Sequence, residues 1–102
     1  IEFIGEGEFI GSRTAVYTDI DINQHVNNSR YIDWAFDAVD PEYLKRHLLR
    51  EIQVNYLQQT RIGQSLDFYK HVLRGEEVFG ITAGPKESSK KTVTFQLAFT
   101  PV

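Results

Sequence analysis

Cysteine does not occur anywhere in this sequence of 102 residues. Its absence excludes disulfides, thiolate metal ligands and a cysteine nucleophile, and leaves the redox compartment undecided. No apolar run reaches the roughly 18 residues that a membrane-spanning helix needs. No basic-then-apolar leader is present, so a signal peptide is not expected and the protein is read as not secreted. Positive charge is not in excess: the formal net charge is -3. No basic stripe runs along the chain, and a nucleic-acid partner is not expected. Internal repeats and low-complexity segments are also missing. The first residue is Ile1 rather than methionine, and the chain is expected to be processed, trimmed or cut from a longer polypeptide.

What is present fits one small domain. Ile1 to Gly11 mixes glycine and glutamate with apolar residues. It is expected to be an extended lead-in or linker, with a single domain over residues 12–102. Ser12 to Thr18 has the β-branched and aromatic content of a short strand. Asp19 to Asn28 is dense in Asp, Asn and His and is expected to turn. Asn27 and Ser29 are good helix caps, so a helix is expected from there to about Val39. Along it, Arg30, Asp33, Asp37 and Asp40 make one narrow polar stripe, while Tyr31, Ile32, Trp34, Ala35, Phe36, Ala38 and Val39 cover the rest. A helix apolar over most of its circumference must be enclosed. Pro41 then opens a second short helix through about His47.

Beyond that point the hydrophobic period changes to two. Strands are expected over Glu51–Leu57, Gln64–Leu73, Glu77–Ala83 and Thr92–Thr100. Gly63 and the Arg74-Gly75-Glu76 run mark turns, and Gly84 to Lys91 a charged loop. Short connections imply antiparallel pairing. The fold class is α+β, a single antiparallel sheet curled around one long, mostly buried helix.

The chemistry concentrates where the turn meets the first helix. A carboxylate, amides and an imidazole are delivered beside a helix N-terminus, where free N–H groups and the helix dipole favour developing negative charge. The run Asp21-x-Asn23-x-His25-Val26-Asn27-Asn28-x-x-Tyr31 closely resembles the signature of the acyl-ACP thioesterase family. That family is built from hotdog folds, each a long helix wrapped in an antiparallel sheet. The resemblance is strong over Val16 to Trp34, looser to Val102, and is to the second of the two hotdog domains in such enzymes. It implies hydrolysis of an acyl-carrier thioester to a free fatty acid, without a cofactor. By resemblance, Asp21, Asn23 and His25 fall on catalytic positions. Asp21 can activate water or attack the acyl carbon, His25 can shuttle a proton or donate to the carbonyl, and Asn23 can orient either. Helix N-terminal N–H groups near Asn27, Asn28 and Ser29 can hold the oxyanion. The substrate is expected to be an acyl carrier protein or CoA thioester. The domain is expected to pair as a homodimer or with a tandem hotdog partner, in bacterial cytoplasm or a plastid-like compartment.

Plant members carry a Glu-Cys pair where Gln59 and Thr60 stand. Gln cannot act as a base, so these two are possible second-strand contributors rather than assigned catalysts. Two other readings therefore stand: a catalytically weak, acyl-thioester-binding or structural hotdog half, and a single-hotdog acyl-CoA thioesterase. A calcium loop starting at Asp19 is rejected, because its sixth and twelfth positions hold Gln24 and Arg30 instead of Gly and Glu. Asn27-Asn28-Ser29 matches a glycosylation sequon by chance. Asp19 is read as a turn former bonding backbone N–H groups. His47 and His71 are expected at the surface, Trp34 in the core or acyl-pocket wall, and Lys86, Lys90 and Lys91 in a solvated loop.

Overall fold

The computed structural model describes residues 7–86, 88 and 90–102. Part of the expected lead-in, residues 1–6, and two positions of the charged loop, 87 and 89, lie outside the described residues. The chain runs β1 (Glu8–Thr14), a single 3-10 turn (Tyr17–Asp19), α1 (Asn28–Ala38), α2 (Pro41–Arg46), β2 (His47–Tyr56), β3 (Ser65–Arg74), β4 (Val78–Pro85) and β5 (Val93–Pro101).

Both helices start where capping chemistry dictates. The Asn27 side chain accepts the Ser29 N–H at the head of α1. The Asp40 side chain does the same for Glu42 ahead of α2, with Pro41 in its first turn. Such caps satisfy donors that a helix N-terminus leaves open, each worth about 1 kcal/mol. Gly75 turns the β3–β4 hairpin at φ 52°, in the left-handed region that glycine enters without steric cost.

The five strands form one antiparallel sheet in the order β1-β3-β4-β5-β2. The strict alternation of Val93, Phe95, Leu97 and Phe99 puts all four on one buried face. Leu66, Phe68, Phe79 and Ile81 join them, and Tyr31, Trp34 and Ala35 of α1 pack on that face. Trp34 is 1% exposed, and its ring meets Tyr31 edge-on at 5.5 Å between centroids.

Several expectations shift. β1 begins at Glu8 and ends at Thr14, so the strand sits earlier than Ser12–Thr18, and Tyr17 to Asp19 form the 3-10 turn instead. β2 begins at His47, because Leu48 and Leu49 already pair with Thr100 and Phe99. β2 and β3 follow one another in the chain but are not neighbours; among the described residues β2 pairs with β5 alone and forms a sheet edge. The connection explains why. It leaves beside Thr92, where the Leu57 N–H is bonded, and arrives beside Ala15, whose carbonyl accepts the Gly63 N–H. It thus crosses the end of the sheet. α1 is enclosed on the sheet side only: Ile32 and Phe36 are half-buried. Val72, expected on the apolar face with Leu66 and Phe68, is exposed beside the β-bulge between Val72 and Arg74.

His71 is 7% exposed rather than at the surface. It lies on the face of the sheet away from α1, where its Nε2 is 3.0 Å from Thr82 Oγ1. Burial, and secondarily the charge of Lys91, push its pKa below the ordinary value.

Candidate functional site

The turn between the 3-10 helix and α1 is a closed hairpin-like loop. Ile20 and Val26 bridge across its base. Within it the Asp21 N–H donates to the His25 carbonyl at 2.9 Å, and the Gln24 N–H to the Asp21 carbonyl at 3.0 Å. Gln24 takes a φ of 69°, which the Cβ of any residue other than glycine disfavours. A residue held in that region costs on the order of 1–3 kcal/mol and persists only where its surroundings hold it.

Asp21 has one carboxylate oxygen committed to the loop. Its Oδ1 accepts the Asn23 N–H at 2.9 Å and, more weakly, the His25 N–H at 3.4 Å. Among the described residues no hydrogen bond joins this carboxylate to the His25 ring. Asp21 and His25 are half-buried and Asn23 is exposed.

Asp21, Asn23, His25, Val26, Asn27, Asn28, Tyr31 and Gln59 line one open cleft of about 660 Å³. Of the expected site residues, Ser29 and Thr60 stand outside that lining. Ser29 donates both its N–H and its hydroxyl to Asn27 Oδ1, at 3.0 and 2.9 Å, so its amide is taken by the cap. Asn28, the first helical residue, keeps an N–H with no partner inside the helix.

Thr60 is 1% exposed. Its hydroxyl accepts from the Tyr31 hydroxyl at 2.8 Å, and its carbonyl accepts the Val26 N–H at 2.8 Å. It is a fastener between the loop after β2, the motif turn and α1. Gln59, its neighbour, presents the only side chain from that loop to the cleft. Tyr31 is expected in the apolar set of α1 and closes the motif run. It also lines the cleft, and burial raises the pKa of its phenol, with its bonds to Thr60 acting against that shift. The i, i+4 spacing from Asn27 was the available sign, since it places both on one helix face.

Asp19 is 1% exposed and does more than form a turn. Its Oδ2 accepts the Val16 N–H at 2.9 Å, its Oδ1 accepts from Arg30 Nε at 2.9 Å, and its carbonyl accepts the Asn27 N–H at 3.0 Å. Among the described residues, no group of three or more His, Asp or Glu side chains is placed to hold a metal ion.

A strand, a carboxylate- and imidazole-bearing turn, a capped helix and a sheet behind it are the frame of one known family. Residues 8–99 match the sequence profile of the acyl-ACP thioesterase C-terminal domain. The chain belongs to the acyl-ACP thioesterase family. Within that family it is 37% identical over 88 residues to a chloroplastic acyl-[acyl-carrier-protein] hydrolase of Cuphea viscosissima, covering 72% of this chain and 21% of that protein. It is 30% identical over 71 residues to the chloroplastic dodecanoyl-[acyl-carrier-protein] hydrolase of Cinnamomum camphora, covering 70% of this chain and 19% of that one. It thus spans about a fifth of the length of these relatives. The acyl-ACP thioesterase structure from Bacteroides thetaiotaomicron superposes with a TM-score of 0.86 at 26% identity, over 95% of this chain and 39% of that one. The 12:0-ACP thioesterase of Umbellularia californica superposes with a TM-score of 0.83 at 20% identity, over 100% of this chain and 40% of that one, a likeness of fold. The hotdog architecture is common to all of these thioesterase structures. Among the described residues no helix is long and apolar enough to cross a membrane.

Proposed function

We propose that this chain is the catalytic hotdog unit of an acyl-ACP thioesterase, which hydrolyses an acyl-carrier thioester to a fatty acid and the free carrier thiol. The observation that supports it most is the cleft itself, where Asp21, Asn23, His25, Asn28 and Gln59 meet at the N-terminus of α1. In this reading the thioester carbonyl lies against the N–H of Asn28, where a developing oxyanion gains from the amide and the helix dipole. Water attacks the acyl carbon and yields its proton to Asp21, forming the new C–O bond and a tetrahedral oxyanion whose collapse breaks the C–S bond. His25 gives a proton to the leaving sulfur, and the proton taken by Asp21 restores it through water in the open cleft. Asn23 orients the water or the imidazole, and Gln59 can orient the water without taking its proton.

Among the described residues Asp21 is the one carboxylate in the cleft lining. That keeps a second reading in play: a hotdog half that binds acyl-thioesters without turning them over. Steady-state hydrolysis of dodecanoyl-ACP, dodecanoyl-CoA and an aryl-CoA separates the two, and also tests a CoA thioesterase. Under the proposal dodecanoyl-ACP is the preferred substrate, and Asp21→Asn and His25→Ala each lower kcat by about 10²–10⁴ without unfolding the protein. Their effects are non-additive, because both serve one proton-transfer step. An Asp21→Asn/His25→Ala double variant as active as the parent refutes it.

β2 is an unpaired edge carrying the exposed side chains of Leu48, Leu49, Ile52 and Tyr56, and α1 leaves Ile32 and Phe36 half-buried. Unpaired apolar edges invite another strand. The proposed occupant is a second hotdog unit, from a tandem domain or another copy. The related solved chains, of which this unit covers about two fifths, have the length to hold one. The domain proper is taken to start with β1 at Glu8 rather than at residue 12, and to run to residue 102. A bacterial cytoplasm or a plastid is the matching compartment, in line with the chloroplastic plant relatives.

A further inference from the structure

We infer that the ion pair between buried Asp19 and half-buried Arg30 is a positioning device for the cleft, setting where Asp21 and His25 stand relative to α1. This rests on the thioesterase reading of that cleft.

Asp19 sits at the start of the motif turn, and everything it bonds lies at the turn's base. Its carboxylate takes the Val16 N–H from the cap of the 3-10 turn and Nε of Arg30 from the first turn of α1. Its carbonyl takes the N–H of Asn27, the residue that caps α1. The two limbs of the turn, and the helix beneath it, are therefore tied at one residue. Arg30 extends the tie along the helix through Nη1 to Asp33 at 2.9 Å.

The turn above this base has little else to hold it. Ile22 at its tip is 92% exposed, and Asn23 and Gln24 are exposed. Its own hydrogen bonds fix its internal shape but not its angle to α1. The Ile20–Val26 bridge joins the two limbs to each other, and the bond from the Val26 N–H to Thr60 holds the far limb. The near limb, which carries Asp21, is held to the helix through Asp19. A buried ion pair adds little net stability over a well-packed apolar pair, since desolvation offsets most of the attraction. What the arrangement adds here is fixed geometry, and a displacement of about 1 Å at a reacting group can cost on the order of a hundredfold in rate.

The test is Asp19→Asn, Arg30→Gln and the double variant in the protein as it occurs. The expected result on dodecanoyl-ACP is a fall in kcat of about 10–100-fold, with KM within about twofold of the parent. The double variant should be no worse than the worse single, because one tie is broken in each case. Arg30 is half-exposed, so Arg30→Gln keeps the test available if Asp19→Asn does not fold. Hydrogen exchange supplies a readout independent of turnover. The amides of Asp21, Gln24 and Val26 should exchange faster in the variants while those of β3, β4 and β5 keep parental protection. Parental kcat in a folded variant, or an equal loss of protection in turn and sheet, overturns the inference. A parent that hydrolyses none of the thioesters instead overturns the functional reading, and the exchange pattern still decides whether the pair positions the turn.

Discussion

Replacing Tyr31 by Phe removes one oxygen from the centre of the molecule and leaves the ring in place. The Tyr31 hydroxyl donates to Thr60 Oγ1 at 2.8 Å, and both residues are 1% exposed. Water cannot replace the lost donor without rearrangement. Loss of one partner of a buried pair costs about 1–3 kcal/mol, because the remaining group stays desolvated. Tyr31→Phe and Thr60→Val should therefore each cost about 1–2 kcal/mol in urea unfolding, with little change in slope. The double variant replaces both partners by apolar groups of similar shape. It should cost less than the sum of the singles by at least about 1 kcal/mol. A double variant whose loss equals that sum would show that the bond is incidental to the packing. Thr60→Cys extends the same reasoning to catalysis. A thiol at that buried position faces Tyr31 rather than the cleft, so it should neither raise kcat nor react with iodoacetamide in the folded state. Rapid alkylation with a gain in turnover would refute the assignment of residue 60 as a fastener.

Gln59→Glu should change kcat on dodecanoyl-ACP by less than about tenfold, since Asp21 suffices as base and a second carboxylate would oppose its charge; a larger gain would favour the weak-hotdog reading. Trp34→Ala should cost about 3–5 kcal/mol, half-buried Phe36→Ala distinctly less, and Asp37→Ala under about 0.5 kcal/mol, in denaturant melts. The lowered pKa of His71 means that the unfolded chain binds its proton first as pH falls. Its contribution to stability is thus complete above the unfolded value, about 6.5, and is lost as pH drops from there toward the folded value. Urea midpoints measured from pH 7.5 to 5 should fall less steeply in His71→Gln than in the parent, and parallel curves would contradict this.

The features legible in the sequence are those written in local chemistry. The cap at Asn27, Pro41 behind Asp40, and the alternation from Val93 to Phe99 depend on neighbours within a few residues, and each specifies its element. The motif turn is legible for the same reason, since its bonds close between Asp19 and Asn27. Strand adjacency is not local. The connection from Leu57 to Gln64 is short enough for a hairpin, yet its backbone bonds go to Thr92, Val26 and Ala15 instead. The same non-locality hid Thr60, whose partner Tyr31 lies 29 positions away. His71 was misplaced because a polar residue on the second face of a strand is ordinarily solvated. Here Thr82 on the neighbouring strand bonds the imidazole, and Lys91 lies near enough for its charge to act on it.

The strand order also bears on how the chain assembles in time. β3, β4 and β5 are consecutive and paired to one another, so they can close as a meander with short loops. β1 and β2 attach to opposite edges of that meander, and the Ser12–Asp67 contact spans 55 positions. Pairings of such long range are slow to form. Every residue of the cleft lies in the stretch from Asp21 to Gln59, which leaves the ribosome before the meander does. During synthesis the apolar face of α1 is therefore made without the surface that will cover it, and the cleft becomes competent only after the last strand has emerged.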